Sequence, residues 1–149
     1  MTKLDKIMRK TTKYAARLYK EWLEHKKIII GVDYDDTIFP WRFSSQEQCD
    51  KVIKELILCK NTGAYITIFT CSNVDRFQEI KDYCKSKGLE IDSINENPIS
   101  LPYGNVNKIY ANIFIDDRAG LNESLLILTT ARTMYFNKEL ALNENEVEF

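Results

Sequence analysis

Hydrophobic positions along the chain fall into blocks whose period switches between that of a helix and that of a strand. The first block spaces Leu4, Ile7, Met8, Tyr14, Leu18, Tyr19 and Trp22 at helical intervals, with Lys and Arg filling the other face. That spacing predicts one amphipathic helix over roughly residues 3–25. Ile28-Ile29-Ile30-Gly31-Val32 then reads as a buried strand of the parallel-sheet kind, and it ends abruptly in Asp33, Asp35 and Asp36. Ile38 to Phe43 is too short and too aromatic for a plain loop, and is expected as a tight excursion beside these acids. Ser45 followed by Gln48 forms a capping box. The helix it starts presents Cys49, Val52, Ile53, Leu56 and Ile57 as one stripe and stops at Asn61-Thr62-Gly63. Ala64 to Thr70 is a second strand ending in a hydroxyl. Asn73 is expected to cap a further helix whose buried face is Phe77, Ile80 and Cys84 and which Gly88 closes. A short strand over Ile91 to Ile94 leads into the turn-like Asn95-Glu96-Asn97-Pro98 and a loop to Gly104. Ala111 to Ile115 is the last clear strand, ending in Asp116-Asp117. Beyond it, Leu121, Leu125, Leu128, Arg132 and Tyr135 fit a helix started by Asn122, against a weaker strand pattern at Ile127, Thr129 and Thr130.

Strands alternating with helices predict an α/β fold: a three-layer sandwich around a parallel, Rossmann-like sheet with right-handed crossovers. Residues 1–27 form the N-terminal helix packed on or beside the core, 28–142 the core, and 143–149 an acidic, frayed tail. Asp33, Asp35, Thr37, Thr70, Asp116 and Asp117 then all lie at or just past the carboxyl end of a strand. The ligand crevice of an open α/β sheet opens there, and acids gathered in it are better explained by a cation than by solvent. Asp33, Asp35, Asp36, Asp116 and Asp117 place five carboxylates around that crevice.

The 149 residues suffice for one domain with a real core, and a formal net charge of −1 argues against a general nucleic-acid binder or a membrane-surface protein. The charge is uneven, however. Residues 1–27 hold nine Lys or Arg against three Asp or Glu, a local net of +6. The first helix therefore either packs with its Lys heads in water or offers a phosphate-backbone contact. Cys49, Cys59, Cys71 and Cys84 show no CxxC spacing and there is no apolar leader, so a cytoplasmic setting with the cysteines as small, mostly buried residues is expected. His25, the sole histidine, falls at a helix end, which leaves histidine chemistry out of the account.

A hydrophobic strand ending in Asp33-x-Asp35-x-Thr37, a strand ending in Thr70, a lysine at Lys108 and a strand ending in Asp116-Asp117 together resemble the haloacid dehalogenase (HAD) superfamily of phosphotransferases. The resemblance covers about Ile28 to Ala119. In wider wording, through Tyr83-Cys84-Lys85, Ile94-Asn95-Glu96-Asn97-Pro98 and Lys108-Ile109-Tyr110-Ala111, the chain is similar to small HAD proteins of bacteria and their phages. It departs from the pattern at Asp36, where that family often has Gly.

A phosphate monoester is a dianion, so a carboxylate nucleophile approaches it only if their repulsion is cancelled, and a hard divalent ion such as Mg²⁺ suits an all-oxygen site. The resemblance implies that Asp33 attacks phosphorus to give an aspartyl-phosphate, while Asp35 protonates the leaving oxygen and then activates water. It also implies metal ligation by Asp33, the backbone carbonyl of Asp35, Asp116 and Asp117, donation from Thr70 to a transferring oxygen, and charge neutralisation by Lys108, with Lys81, Lys85 and Lys87 as other candidates. Thr37 is expected to brace the loop, and Asp117 with Arg118 could equally be a structural pair. Trp41 and Arg42 either grip substrate or pack over the adjacent helix. Cys71, beside Thr70, is expected to be inert.

The expected function is a Mg²⁺-dependent phosphatase acting on a phosphorylated small molecule or nucleotide, or on a phosphorylated nucleic-acid end. A HAD-like regulatory or binding module with little or no turnover is the alternative. A receiver domain is disfavoured because no Asp ends a middle strand. From Thr37 to Thr70 there are 32 intervening residues and from Thr70 to Lys108 there are 37, too few in either slot for a cap domain, so an open crevice is expected.

Overall fold

The computed structural model describes residues 1–97 and 108–146, and within the terminal helices the side chains of Leu4, Asp5, 7–10 and 139–146 are not among those described. The loop expected to reach Gly104, the final three residues and the side chains of Leu4, Ile7 and Met8 thus lie outside the described residues. The elements run α1 (Lys3–His25), β1 (Ile29–Asp33), α2 (Gln46–Asn61), β2 (Tyr65–Phe69), a single 3-10 turn (Val74–Arg76), α3 (Phe77–Ser86), β3 (Ser93–Ile94), β4 (Ile113–Ile115) and α4 (Leu121–Glu146).

The strands form one sheet in the order β3-β2-β1-β4, parallel throughout. Ile30, Val32, Ile66, Ile68 and Ile115 are buried in its core, joined by the Val52, Ile53 and Leu56 stripe of α2 and by Ile80 and Cys84 of α3. β1 is buried on both faces, as the central strand of a three-layer sandwich is. The architecture fits the Rossmann-like sandwich expected, with no cap domain among the described residues. One contact on β1 favours glycine: a Cβ at Gly31 would sit 2.8 Å from the Phe114 ring, which would have to shift, and that ring meets Phe69 at a centroid distance of 5.7 Å.

Both edge strands are shorter than their hydrophobic runs, for one reason. Asp92 and Asn112 donate their backbone N–H to the carbonyls of Ile66 and Ile29, each at 2.8 Å. Their side-chain oxygens accept the N–H groups of those same residues, each at 2.7 Å. A side chain thus takes the place of the first ladder carbonyl, and regular pairing begins one residue later.

Helix starts follow local chemistry where that chemistry is complete. The Ser45 capping box is made in both directions, with Gln48 N–H to Ser45 Oγ at 3.2 Å and Ser45 N–H to Gln48 Oε1 at 3.0 Å. Asn73 makes no such side-chain bond, and α3 is instead entered through the 3-10 turn. Residues 121–146 are one helix, so the strand pattern at Ile127 is overridden by Leu128, Ala131 and Tyr135 packing into the core. That helix also passes the expected boundary at Asn143. α1 is part of the fold: Ala15, Leu18 and Trp22 are buried, and the Trp22 ring stacks on Tyr135 of α4 with centroids 5.1 Å apart. Lys13, Arg17 and Lys20 stay exposed on its outer side. Among the described residues no helix is long and apolar enough to cross a membrane.

Candidate active site

Chain order determines where the crevice opens. From β1 the chain moves to β2 on one side, whereas β4 docks on the other, so the switch point lies between β1 and β4. Val32 pairs with Ile115 in the parallel register, and Asp33 and Asp116 therefore leave adjacent strands at the same level. Asp33, Asp116 and Asp117 bring carboxylate oxygens within 4.8 Å of one another. They line a crevice of about 660 Å³ together with Asp35, Trp41, Arg42, Phe69, Thr70, Cys71 and Arg118, among others.

Thr37, expected to brace the loop, is bonded into this cluster. Its hydroxyl lies 2.9 Å from Asp33 Oδ2 and 3.3 Å from Asp117 Oδ1, and it accepts the Asp117 N–H at 3.0 Å. Burial and the hydrogen bond with Asp117 push the Asp33 carboxyl up to about 7, with the Asp116 and Asp117 charges adding to the rise and the Thr37 bond opposing it. Asp117 therefore belongs to the carboxylate cluster, while the Arg118 N–H donates to Asp116 Oδ1 at 3.0 Å.

Only three of the five expected carboxylates converge. Asp35 is held by Arg76 in a two-point ion pair, Nη1 to Oδ2 at 3.0 Å and Nη2 to Oδ1 at 2.9 Å, and Arg76 also donates to Ser72 Oγ at 2.7 Å. The guanidinium sits 5.2 Å above the Tyr34 ring, within a packed group of Tyr34, Phe39 and Tyr83. Asp36 borders the crevice but does not join the converging carboxylates, and its backbone is left-handed at φ 60. Its buried Oδ1 accepts the N–H groups of Trp41, Arg42, Phe43 and Ser44 at 3.1, 2.9, 3.0 and 3.1 Å. Burial of this carboxylate opposes its charge, yet the four backbone donors outweigh that and hold it down at about 2.

The departure from glycine at this position thus has a physical account. Left-handed backbone costs an aspartate little, and the side chain ties down the aromatic excursion. Asp36→Ala, which brings in left-handed strain and orphans four N–H groups, is expected to lose about 2–4 kcal/mol in denaturant unfolding. Asp36→Gly relieves the strain and should lose less, about 1–3 kcal/mol, and Asp36→Asn least of all. Since the folded carboxyl is held below its unfolded value, its stabilisation is complete above about pH 4 and is lost as pH falls through about 2. A glycine variant as stable as the parent would remove the anchoring role.

Thr70 stands one residue beyond β2, its backbone clasped by Asn95, whose Oδ1 accepts the Thr70 N–H and whose Nδ2 donates to the Thr70 carbonyl, each at 2.8 Å. The Thr70 hydroxyl donates to Ser72 Oγ at 3.1 Å. Trp41 and Arg42 are exposed, line the crevice and stack on each other, with the guanidinium 4.1 Å from the ring centroid. Lys108 is exposed and outside the residues lining the crevice, and its carbonyl accepts from Asn97 Nδ2 at 3.1 Å. The cationic side chains that do line it are Arg42 and Arg118. Cys71 lines the crevice and is exposed, whereas Cys49, Cys59 and Cys84 are buried, and burial pushes their thiols up. His25 lies on the surface.

Arg76, Ser72 and Asn95 carry no motif and escape a reading by residue type. The available signal was position: Ser72 and Arg76 follow shortly after the strand that ends at Thr70, and Asn95 opens the next strand-end turn.

Fold and site define a class, an α/β protein with a parallel sheet and an acidic cluster at its switch point. No family model matches the chain, and no curated protein matches it. A solved structure described as a conserved protein coded by a locus from Bacteroides thetaiotaomicron is similar, with 24% identity and a TM-score of 0.52 over 62% of this chain and 77% of that chain. At that identity the likeness establishes the fold alone.

Proposed function

We propose that the chain is a divalent-cation-dependent phosphohydrolase of HAD type that turns over a phosphate monoester through an aspartyl-phosphate on Asp33. The observation that carries the reading is the convergence of Asp33, Asp116 and Asp117 from two adjacent strand ends, on the crevice that also receives Asp35 and Thr70. The donor set fits a hard cation. It is all oxygen, and the Asp33 carboxyl is raised by burial first and by its Asp117 and Asp116 neighbours after that, a setting in which a cation would favour the charged form. When bound there, Mg²⁺ would cancel the repulsion between the attacking carboxylate and a dianionic ester.

The remaining work falls to side chains. Thr37 holds one oxygen of Asp33 and so orients the other for in-line attack on phosphorus. The Asp33 oxygen–phosphorus bond forms as the ester bond breaks, and Asp35, which must enter the cycle protonated, gives its proton to the departing alkoxide. Asp35 then takes a proton from water, which attacks phosphorus and releases Asp33. Arg76 fixes the Asp35 carboxylate, one oxygen of which must turn from the guanidinium to reach the leaving group. Thr70, swung from Ser72, donates to a transferring oxygen.

A generic phosphatase assay tests the reading: hydrolysis is expected in Mg²⁺, abolished by EDTA and restored by excess Mg²⁺. Metal-independent hydrolysis, or none across phosphorylated metabolites, nucleotides and oligonucleotides, would reject it. The second outcome would favour the other reading, a binding module with little turnover, for which the two-point Asp35–Arg76 pair speaks, since it occupies the group that would move the proton.

A further inference from the structure

Three side chains at the mouth of the crevice have no part in the chemistry above. Trp41 is 55% exposed and Phe43 is 83% exposed, and with Arg42 they line the crevice that holds Asp33 and Thr70. Other exposed rings, such as Tyr14 and Phe136, stand apart from the crevice, whereas these two are grouped at it. This loop is also held in place, by four N–H bonds to the buried Asp36 carboxylate and by the Ser44 hydroxyl donating to the Asp36 carbonyl at 2.6 Å. One face of the Trp41 ring carries the Arg42 guanidinium, while more than half of the residue stays open. Phe69 and Ile109 continue the apolar lining towards the carboxylates. A crevice of about 660 Å³ is of ordinary size for a small-molecule site.

We propose that Trp41, flanked by Arg42 and Phe43, is a stacking platform for a flat heteroaromatic base carried by the phosphate ester, which makes the substrate class a nucleotide, free or at the end of a nucleic-acid strand. The proposal rests on the phosphohydrolase reading for the place of the phosphoryl group at Asp33. With that group at the strand ends, the sugar spans the crevice and the base reaches the loop. Every base has a π-face, so an aromatic platform favours bases as a class over ringless alcohols, and the neighbouring guanidinium adds cation–π attraction.

Adenosine and cytidine 5′-monophosphate share the phosphoryl group and the ribofuranose ring with the cyclic form of ribose 5-phosphate and carry a base where it has the anomeric hydroxyl. Their kcat/KM in Mg²⁺ is expected to exceed that of ribose 5-phosphate by about tenfold or more, an advantage that collapses towards one in Trp41→Ala and is retained in Trp41→Phe. Calorimetric binding of the same ligands to Asp33→Asn reads base preference without turnover and should show a similar ratio. Equal kcat/KM or equal affinity with and without a base overturns the platform even where hydrolysis is robust, and so does failure of all three ligands to bind. Base-dependent binding with no hydrolysis by the wild type keeps the platform and removes the phosphohydrolase reading. A 5′-phosphorylated oligonucleotide separates the two sources: kcat/KM above that of the mononucleotides assigns a strand end, and a value at or below theirs assigns the free nucleotide.

Discussion

Asp33→Asn is expected to lower turnover on the order of a thousandfold or more while leaving the fold intact. The amide matches the carboxylate in shape and can still accept the Thr37 hydroxyl, but it cannot attack phosphorus. Removing one of three crowded carboxylates should if anything raise stability in chelator above about pH 7, which separates a chemical defect from a folding one. Activity above a hundredth of wild type would reject Asp33 as nucleophile. Asp35→Asn should behave differently, because it removes the proposed acid/base and breaks the charged pair with Arg76. With an ester whose leaving group needs no proton, the aspartyl-phosphate should form and then decay slowly, giving a burst followed by a low steady rate. Absence of that burst would count against the role.

The second large effect is on stability and follows from the raised Asp33 carboxyl. Without a cation, the unfolded chain releases this proton near pH 4 while the native protein keeps it up to about pH 7. The native state then binds more protons across that window, so stability falls as pH rises from about 4 to about 7 and levels off above. After solvent screening of a group only partly buried, a loss on the order of 2 kcal/mol is reasonable. Mg²⁺ reverses the sign of the problem: a ligand for the native state alone adds about 2.7 kcal/mol at a hundredfold excess over Kd. For a chain of this length that is a rise in Tm of about 5–10 °C. Melting curves at about pH 5 and about pH 8, in EDTA and in millimolar Mg²⁺, check both halves. A melting temperature indifferent to Mg²⁺ at the higher pH would remove the cation site, and a pH slope that persists in Asp33→Asn would assign it to another group.

Most of the scaffold was legible because burial imprints a period on neighbouring residues. The apolar face of α1, the Ser45 capping box and the runs of β1 and β2 are all local patterns. The three converging acids were legible too, since they lie at or just past the ends of two strands, and parallel strands deliver their ends to one edge. What escaped is non-local or depends on backbone angle. Arg76 meets Asp35 across 41 residues of chain, and no local pattern reports that distance. Asn95 read only as a turn residue, and its clasp on Thr70 needs β3 and β2 side by side. Asp36 looked like one more acid of the converging cluster because composition does not encode φ, and this left-handed residue gives its carboxylate to the loop that follows.

The anchoring of the loop at Trp41 to Ser44 bears on how such a protein changes over time. Its shape is dictated from beneath, by one carboxylate oxygen reaching four main-chain groups that any residue except proline supplies. The side chains that look outward take no part in holding it. Substitutions at Trp41, Arg42 and Phe43 can therefore be exchanged freely without dismantling the platform they stand on. Diversity in what is recognised is mechanically uncoupled from the integrity of the loop, so a lineage could drift across ligands at these three positions while Asp36 stayed fixed.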